Sequence, residues 1–142
     1  MKIFSLILLT ILFGKGCESN NQKDMKSASV EYTALSRGFY QKITVKNQQI
    51  FVAKDRNSSE IGNSSKINDS DWKELVEDFQ KINLNEIQNL KSPTEKRFYD
   101  GAAIANLKIV INDKTYESQA FDHGTPPQAI EKLVNKINAL AK

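Results

Sequence analysis

One cysteine and one histidine in 142 residues remove several classes of protein at once. A lone Cys17 cannot close an intrachain disulfide. A single histidine, His123, with no second cysteine leaves too thin a ligand set for a zinc site. The six glycines are scattered, so there is neither a phosphate-cradling loop nor a Gly-x-Ser-x-Gly nucleophile elbow. Charge of one sign is also scarce. Lys and Arg total 20 against 17 Asp and Glu, and Lys2 and Lys15 precede Cys17, which leaves 18 against 17 from the cysteine onward. A net charge of about +1 offers little of the counterion-release energy on which nucleic-acid binders depend. No nucleic-acid partner is expected. Finally, no apolar run approaches the ~20 residues that a membrane-spanning helix requires.

What is present begins with Ile3 to Phe13, IFSLILLTILF, preceded by Lys2 and followed by Gly14-Lys15-Gly16-Cys17. A charged start, a short apolar middle and small residues before a processing point describe a secretory signal. The four residues Gly14-Lys15-Gly16-Cys17 resemble the relaxed lipobox of small bacterial lipoproteins of the Bacteroidota type. Lys15 departs from the small or apolar residue usual at that place. The resemblance implies that Cys17 is acylated and becomes the new N-terminus, which would hold the protein to a membrane of the cell envelope. It brings no known activity and no functional residue beyond Cys17. Glu18 to Ser29, ESNNQKDMKSAS, is polar and lacks apolar periodicity, and it reads as a tether. Twelve flexible residues reach about 20 Å. The expected organisation is a signal peptide over 1–16, a polar tether over 17–29 and a single α+β domain over 30–142.

Within that domain the periodicity predicts a doubled unit. SRGFYQKITV places Phe39, Gln41, Ile43 and Val45 on one side of a strand, a turn follows at Lys46 to Gln49, and Ile50 and Val52 continue in phase. Trp72, Leu75, Val76, Phe79 and Ile82 then fall on one face of a helix that Ser70 or Asp71 would cap. The order returns with Ala103, Ala105, Leu107, Ile109 and Ile111, a turn at Asn112 to Thr115, a return through Tyr116, Ser118 and Ala120, and a helix on Ile130, Leu133, Val134, Ile137 and Leu140. Thr125 is its expected N-cap, with Pro126 in first position and Gln128 completing a capping box. Two ββα units most simply build a four-stranded antiparallel sheet with both helices on one face. Between them, Leu84, Ile87 and Leu90 suggest an extra helical turn, and Arg97 to Tyr99 a short edge strand.

Two groups of residues are candidates for function. Pairing Ile111 with Tyr116 sets Ala105 opposite Asp122 and Ala103 opposite Gly124, which would gather Asp100, Asp122 and His123 at one end of the sheet for hydrolytic or metal chemistry. Each residue around His123 also has a structural duty in a helix entry. The second group is the sheet face away from the helices. There Tyr40, Phe51, Ile104, Val110 and Phe121 would stand among Lys42, Thr44, Lys108, Glu117 and Gln119, a mixture suited to protein binding. The favoured reading is a noncatalytic binding or assembly module that recognises an envelope protein or peptide, without cofactor or metal. The alternatives are an envelope enzyme or metal site using Asp100, Asp122 and His123, and an envelope or secreted inhibitor that inserts a loop such as Asn57 to Asp69.

Overall fold

The computed structural model describes residues 24–57 and 64–142, so the apolar leader, the lipobox and Cys17 lie outside the described residues. Strands β1 (Ser29–Ser36), β2 (Phe39–Lys46), β3 (Gln49–Ala53) and β4 (Ser64–Lys66) lead to helix α1 (Asp69–Gln80). Strands β5 (Ile104–Ile111), β6 (Lys114–Glu117) and β7 (Phe121–Asp122) lead to helix α2 (Glu131–Leu140). The protein is thus mixed α+β with an antiparallel sheet, but the sheet has seven strands and not four. Its spatial order is β4-β3-β2-β1-β5-β6, with β7 paired to the start of β5.

The largest difference from the expected pair of units is β1. It lies between β2 and β5 and pairs along its length with both, Val30 opposite Val45 on one side and opposite Ile109 on the other. Its inward residues Val30, Tyr32 and Ala34 are completely buried. The residues just before it also belong to the domain. Met25 and Ala28, in the stretch expected to be tether, are buried in the core, and the backbone N–H groups of Ser27 and Ala28 donate to the carbonyl of Asp24. β4, three exposed polar residues, has no apolar alternation in the sequence, and β7, two residues long, is a separate strand where the pattern predicts one continuous return from Tyr116 to Asp122.

Both expected turns are tighter than their polar runs suggested. Strands β2 and β3 meet through Asn47-Gln48, with φ of 49° and 62°, and β5 and β6 through Asn112-Asp113, with φ of 51° and 61°. Two successive left-handed residues match the twist of the flanking strands. Val45 stands opposite Ile50 as expected, but Tyr116 stands opposite Ile109, and Ile111 opposite Lys114. A bulge then shifts the register again. Two residues lie between Ala105 and Lys108, while three lie between their partners Phe121 and Glu117. Ser118 occupies the bulge, donating its N–H to the Leu107 carbonyl and accepting the Leu107 N–H on its Oγ. A one-residue shift carries a side chain to the other face of a sheet. Phe121, expected outward, therefore pairs with buried Ala105 and is itself fully buried.

The inward strand residues form one cluster with Trp72, Leu75 and Phe79 of α1 and Leu133, Val134 and Ile137 of α2. Lys136 of α2 ties the helices together, its Nζ 2.6 Å from Asp71 and 2.7 Å from Glu74 of α1. Leu84 and Ile87 are buried in a 3-10 turn, Leu84–Asn89, as their spacing suggested. Lys96–Tyr99 is a second 3-10 turn and not an edge strand.

The caps differ as well. Asn68 caps α1, accepting the N–H of Asp71 at 2.8 Å. Thr125 does not cap α2, which is entered through a 3-10 turn, Gln128–Ile130, without a side-chain cap. The N–H of Thr125 instead donates to the Asp122 carbonyl at 2.9 Å. Asn68→Ala is accordingly expected to cost about 1 kcal/mol in chemical denaturation. Thr125→Ala is expected to stay within about 0.5 kcal/mol of the parent, because its side chain caps no helix and the backbone bond to Asp122 is kept. A Thr125 loss as large as that at Asn68 would place a cap where none is seen.

Candidate functional site

Asp122 and His123 are neighbours in sequence at the end of β7, yet they serve different surroundings. The Asp122 carboxylate is buried and accepts four hydrogen bonds, from Thr94 Oγ1 at 2.5 Å, the Lys96 N–H at 2.7 Å, and the Arg97 N–H and Nη1 at 3.1 Å each. Arg97 Nη1 also donates to the Thr94 carbonyl at 2.9 Å and to Ser92 Oγ at 3.2 Å. Burial by itself would raise the pKa of this carboxyl. The bonds from Thr94, Arg97 and Lys96 overrule it and hold the value at about 2. A carboxylate so fully occupied has no lone pair to spare for a substrate proton. Its work is to clamp the segment Ser92 to Tyr99 onto the sheet.

His123 faces the other way. Its Nδ1 lies 2.6 Å from the hydroxyl of Tyr32, and its ring packs 5.4 Å from that of Phe39. Burial raises the Tyr32 phenol to about 12, against a smaller opposing bond from Asn138. Tyr32 therefore keeps its proton, and in the tautomer in which it donates to Nδ1 the hydrogen of the neutral imidazole sits on Nε2. Desolvation lowers the pKa of His123 and favours that neutral form. The imidazole borders a cavity of about 590 Å³ that also touches Phe39, Lys54, Val134 and Asn138.

Asp100 goes to a third place. It closes the 3-10 turn Lys96–Tyr99 in a left-handed conformation, φ 58°, and lines a cavity of about 400 Å³ with Leu35, Ile104, Arg37, Arg56 and Arg97. The expected grouping of Asp100, Asp122 and His123 is therefore not assembled: neither aspartate borders the His123 cavity. Among the described residues no cluster of His, Cys, Asp and Glu is arranged to hold a metal ion.

The open sheet face is divided. Glu31 on β1 lies between Lys42 and Lys108 at 3.3 and 3.4 Å, a charged row across three strands. Phe51 and Val110 are half-buried beyond one side of it. Beyond the other side, the register sets Tyr40, Leu35 and Ile104 next to one another on β2, β1 and β5. The exposed large apolar side chains are Phe98 at 72%, Tyr99 at 71%, Ile104 at 45% and Phe39 at 39%; Ile104 shares the Asp100 cavity with Arg97, while Phe39 packs on His123. Arg56 stands 5.8 Å over the Tyr40 ring, and Arg97 4.3 Å over Phe98. Tyr40, Phe51, Ile104 and Val110 thus share the open face, while Phe121 belongs to the core. Leu35, Phe98 and Tyr32 were not anticipated at either site. The alternation of Val30, Tyr32 and Ala34 is the signal that would have placed Tyr32 inside. Of the loop from Asn57 to Asp69, residues 58–63 lie outside the described residues and Ser64–Lys66 is strand β4.

Fold and surfaces together define a mixed α+β domain built on an antiparallel sheet, with an arginine- and aromatic-rich end and a separate cavity at its histidine. No protein-family model matches the chain, and no curated protein does. No helix among the described residues is long and apolar enough to cross a membrane.

The clamp has a pH signature. A carboxyl held at about 2, against about 3.9 when unfolded, contributes stability that is complete above pH 4 and lost as pH falls from 4 towards 2. Asp122→Asn is expected to lower the unfolding midpoint at pH 7 and to flatten its decline between pH 4 and 2. A variant as stable as the parent at pH 7, with the same acid limb, would show that the clamp does not hold the fold.

Proposed function

We propose that this protein is a noncatalytic binding module of a bacterial cell envelope, held at a membrane through an acylated Cys17. In this reading, the end of the sheet marked by Ile104, Phe98 and Tyr99 docks a segment of an envelope protein that carries acidic and apolar side chains. The observation that carries the reading is the cavity that Leu35 and exposed Ile104 share with Arg37, Arg56 and Arg97, with the exposed Phe98 ring under the Arg97 guanidinium. Aromatic and arginine side chains are the types enriched where interface energy concentrates. Leu35 and Ile104 supply an apolar floor, and the charged residues around it are three arginines against Asp100. One of those arginines is already neutralised by Asp122. Arg37 and Arg56 remain to select an acidic partner, and their geometry suits paired contacts to carboxylates. The rim is held in shape by the Asp122 clamp, so a partner would meet a preorganised surface. Support for the anchor is of a different kind: an apolar run too short to span, small residues beside the cysteine, and no second cysteine.

A photo-crosslinking residue at position 99 in intact cells, with the joined peptide identified by mass spectrometry, tests the surface. The expected product is one acidic, apolar-containing segment. Ile104→Asp or Phe98→Ser should weaken its binding at least about 30-fold, the loss of an anchor worth about 2 kcal/mol. Val110→Asp, at the far end of the same face, should leave binding in place. Equal loss at all three positions, or indifference to charge reversal at Arg37 and Arg56, would overturn the assignment.

The anchor is tested separately. Cys17→Ser should remove incorporated fatty acid and move the protein out of the membrane fraction, or leave an unprocessed precursor. An intact mass of the parent without lipid would refute acylation.

A further inference from the structure

We infer that the cavity beside His123 is a binding site for a small organic carboxylate carried on an apolar or aromatic body. It lies on the helix side of the sheet, between the start of β2 and the end of α2, so it is independent of the docking surface proposed above. Its volume of about 590 Å³ is in the range of pockets that enclose small ligands.

The lining decides the sign of the ligand. Lys54 and Lys142 are its charged side chains, and no carboxylate side chain borders it. α2 ends at the cavity, and the partial negative charge of its last carbonyls is matched by Lys142, the nearest cation in sequence. Lys54 has no ion-pair partner among the described residues, and its charge is left for whatever enters. A cationic ligand would meet the Lys54 ammonium with no carboxylate side chain beside it.

The second polar contact comes from His123. With Tyr32 donating to Nδ1, the other ring nitrogen, Nε2, carries the hydrogen, and no protein group pairs with Nε2 among the described residues. No buried side-chain nitrogen or oxygen there lacks a hydrogen bond, so an unpaired Nε2 must reach solvent at the cavity it borders. Asn138 lines the cavity beside the imidazole, its Nδ2 donating to the Val134 carbonyl at 3.0 Å. One full cation and one neutral donor match a single negative charge with two acceptor oxygens. They leave a doubly charged phosphate undercompensated. Phe39 and Val134 supply wall against which an apolar body can pack.

Titration of the full chain with phenylacetate, followed by NMR, tests this site. Phenylethylamine is the cationic counterpart and phenyl phosphate the dianionic one. Phenylacetate should perturb His123, Asn138 and Phe39 at the lowest concentration of the three, and phenylethylamine should perturb none of them. Lys54→Gln, a change at an exposed residue outside the core, should weaken phenylacetate binding at least tenfold without altering the unfolding midpoint. His123→Ala should weaken it as well, with the fold checked by the remaining amide spectrum. Equal binding of the amine and the carboxylate, tighter binding of the phosphate, no response up to millimolar phenylacetate, or an unchanged affinity in Lys54→Gln would each overturn the inference.

Discussion

Strand β1 is bonded on both edges, and everything else in the domain is arranged around that fact. Its inward side chains are fully buried, and its two neighbours begin the two halves of the chain that the helices complete. Antiparallel pairing with both β2 and β5 means that neither half has to bury its own sheet edge. The two helices can then cover a single continuous apolar face, with Lys136 bridging them at its outer margin. Tyr32 shows how far this reaches. One residue of β1 packs 6.2 Å from Phe121 in the core and orients the imidazole of His123 at the surface of a cavity.

A second constraint shapes the rim. The buried Asp122 carboxylate could not remain ionised without partners, and the segment Ser92 to Tyr99 supplies them from a hydroxyl, two backbone N–H groups and a guanidinium. Meeting that requirement fixes the direction in which the chain enters β5. Phe98 and Tyr99 are thereby left in solvent. The aspartate that looked like a reactive group is instead the reason a hydrophobic and basic surface has a defined form.

The adjacent residues Asp122 and His123 divide this end of the molecule in two. On the open side lie Leu35, Ile104 and the arginines, and on the helix side lie Phe39, Lys54 and Asn138 around the imidazole. Gly38, in a left-handed turn at φ 74°, borders both cavities and lets β1 return as β2 between them. A protein partner and a small ligand would occupy different sides of one sheet, with β2 as the shared wall.

Periodicity alone determined the elements with a strong apolar repeat. Helices α1 and α2, the inward faces of β2, β3 and β5, and the buried pair Leu84 and Ile87 were all legible, because a face that must be buried leaves its spacing in the chain. The pairing of strands was not legible. Nothing local in Ser29–Ser36 says that it inserts between two hairpins, and the polar strand Ser64–Lys66 has no apolar pattern to betray it. The register after Ser118 depended on a single bulged residue, and that residue moved Phe121 from the open face into the core. The candidate site followed the same rule. His123, Asp122 and Asp100 stood out by residue type, but whether they met was a question of register and of which way β7 turns each side chain, which only tertiary pairing could decide.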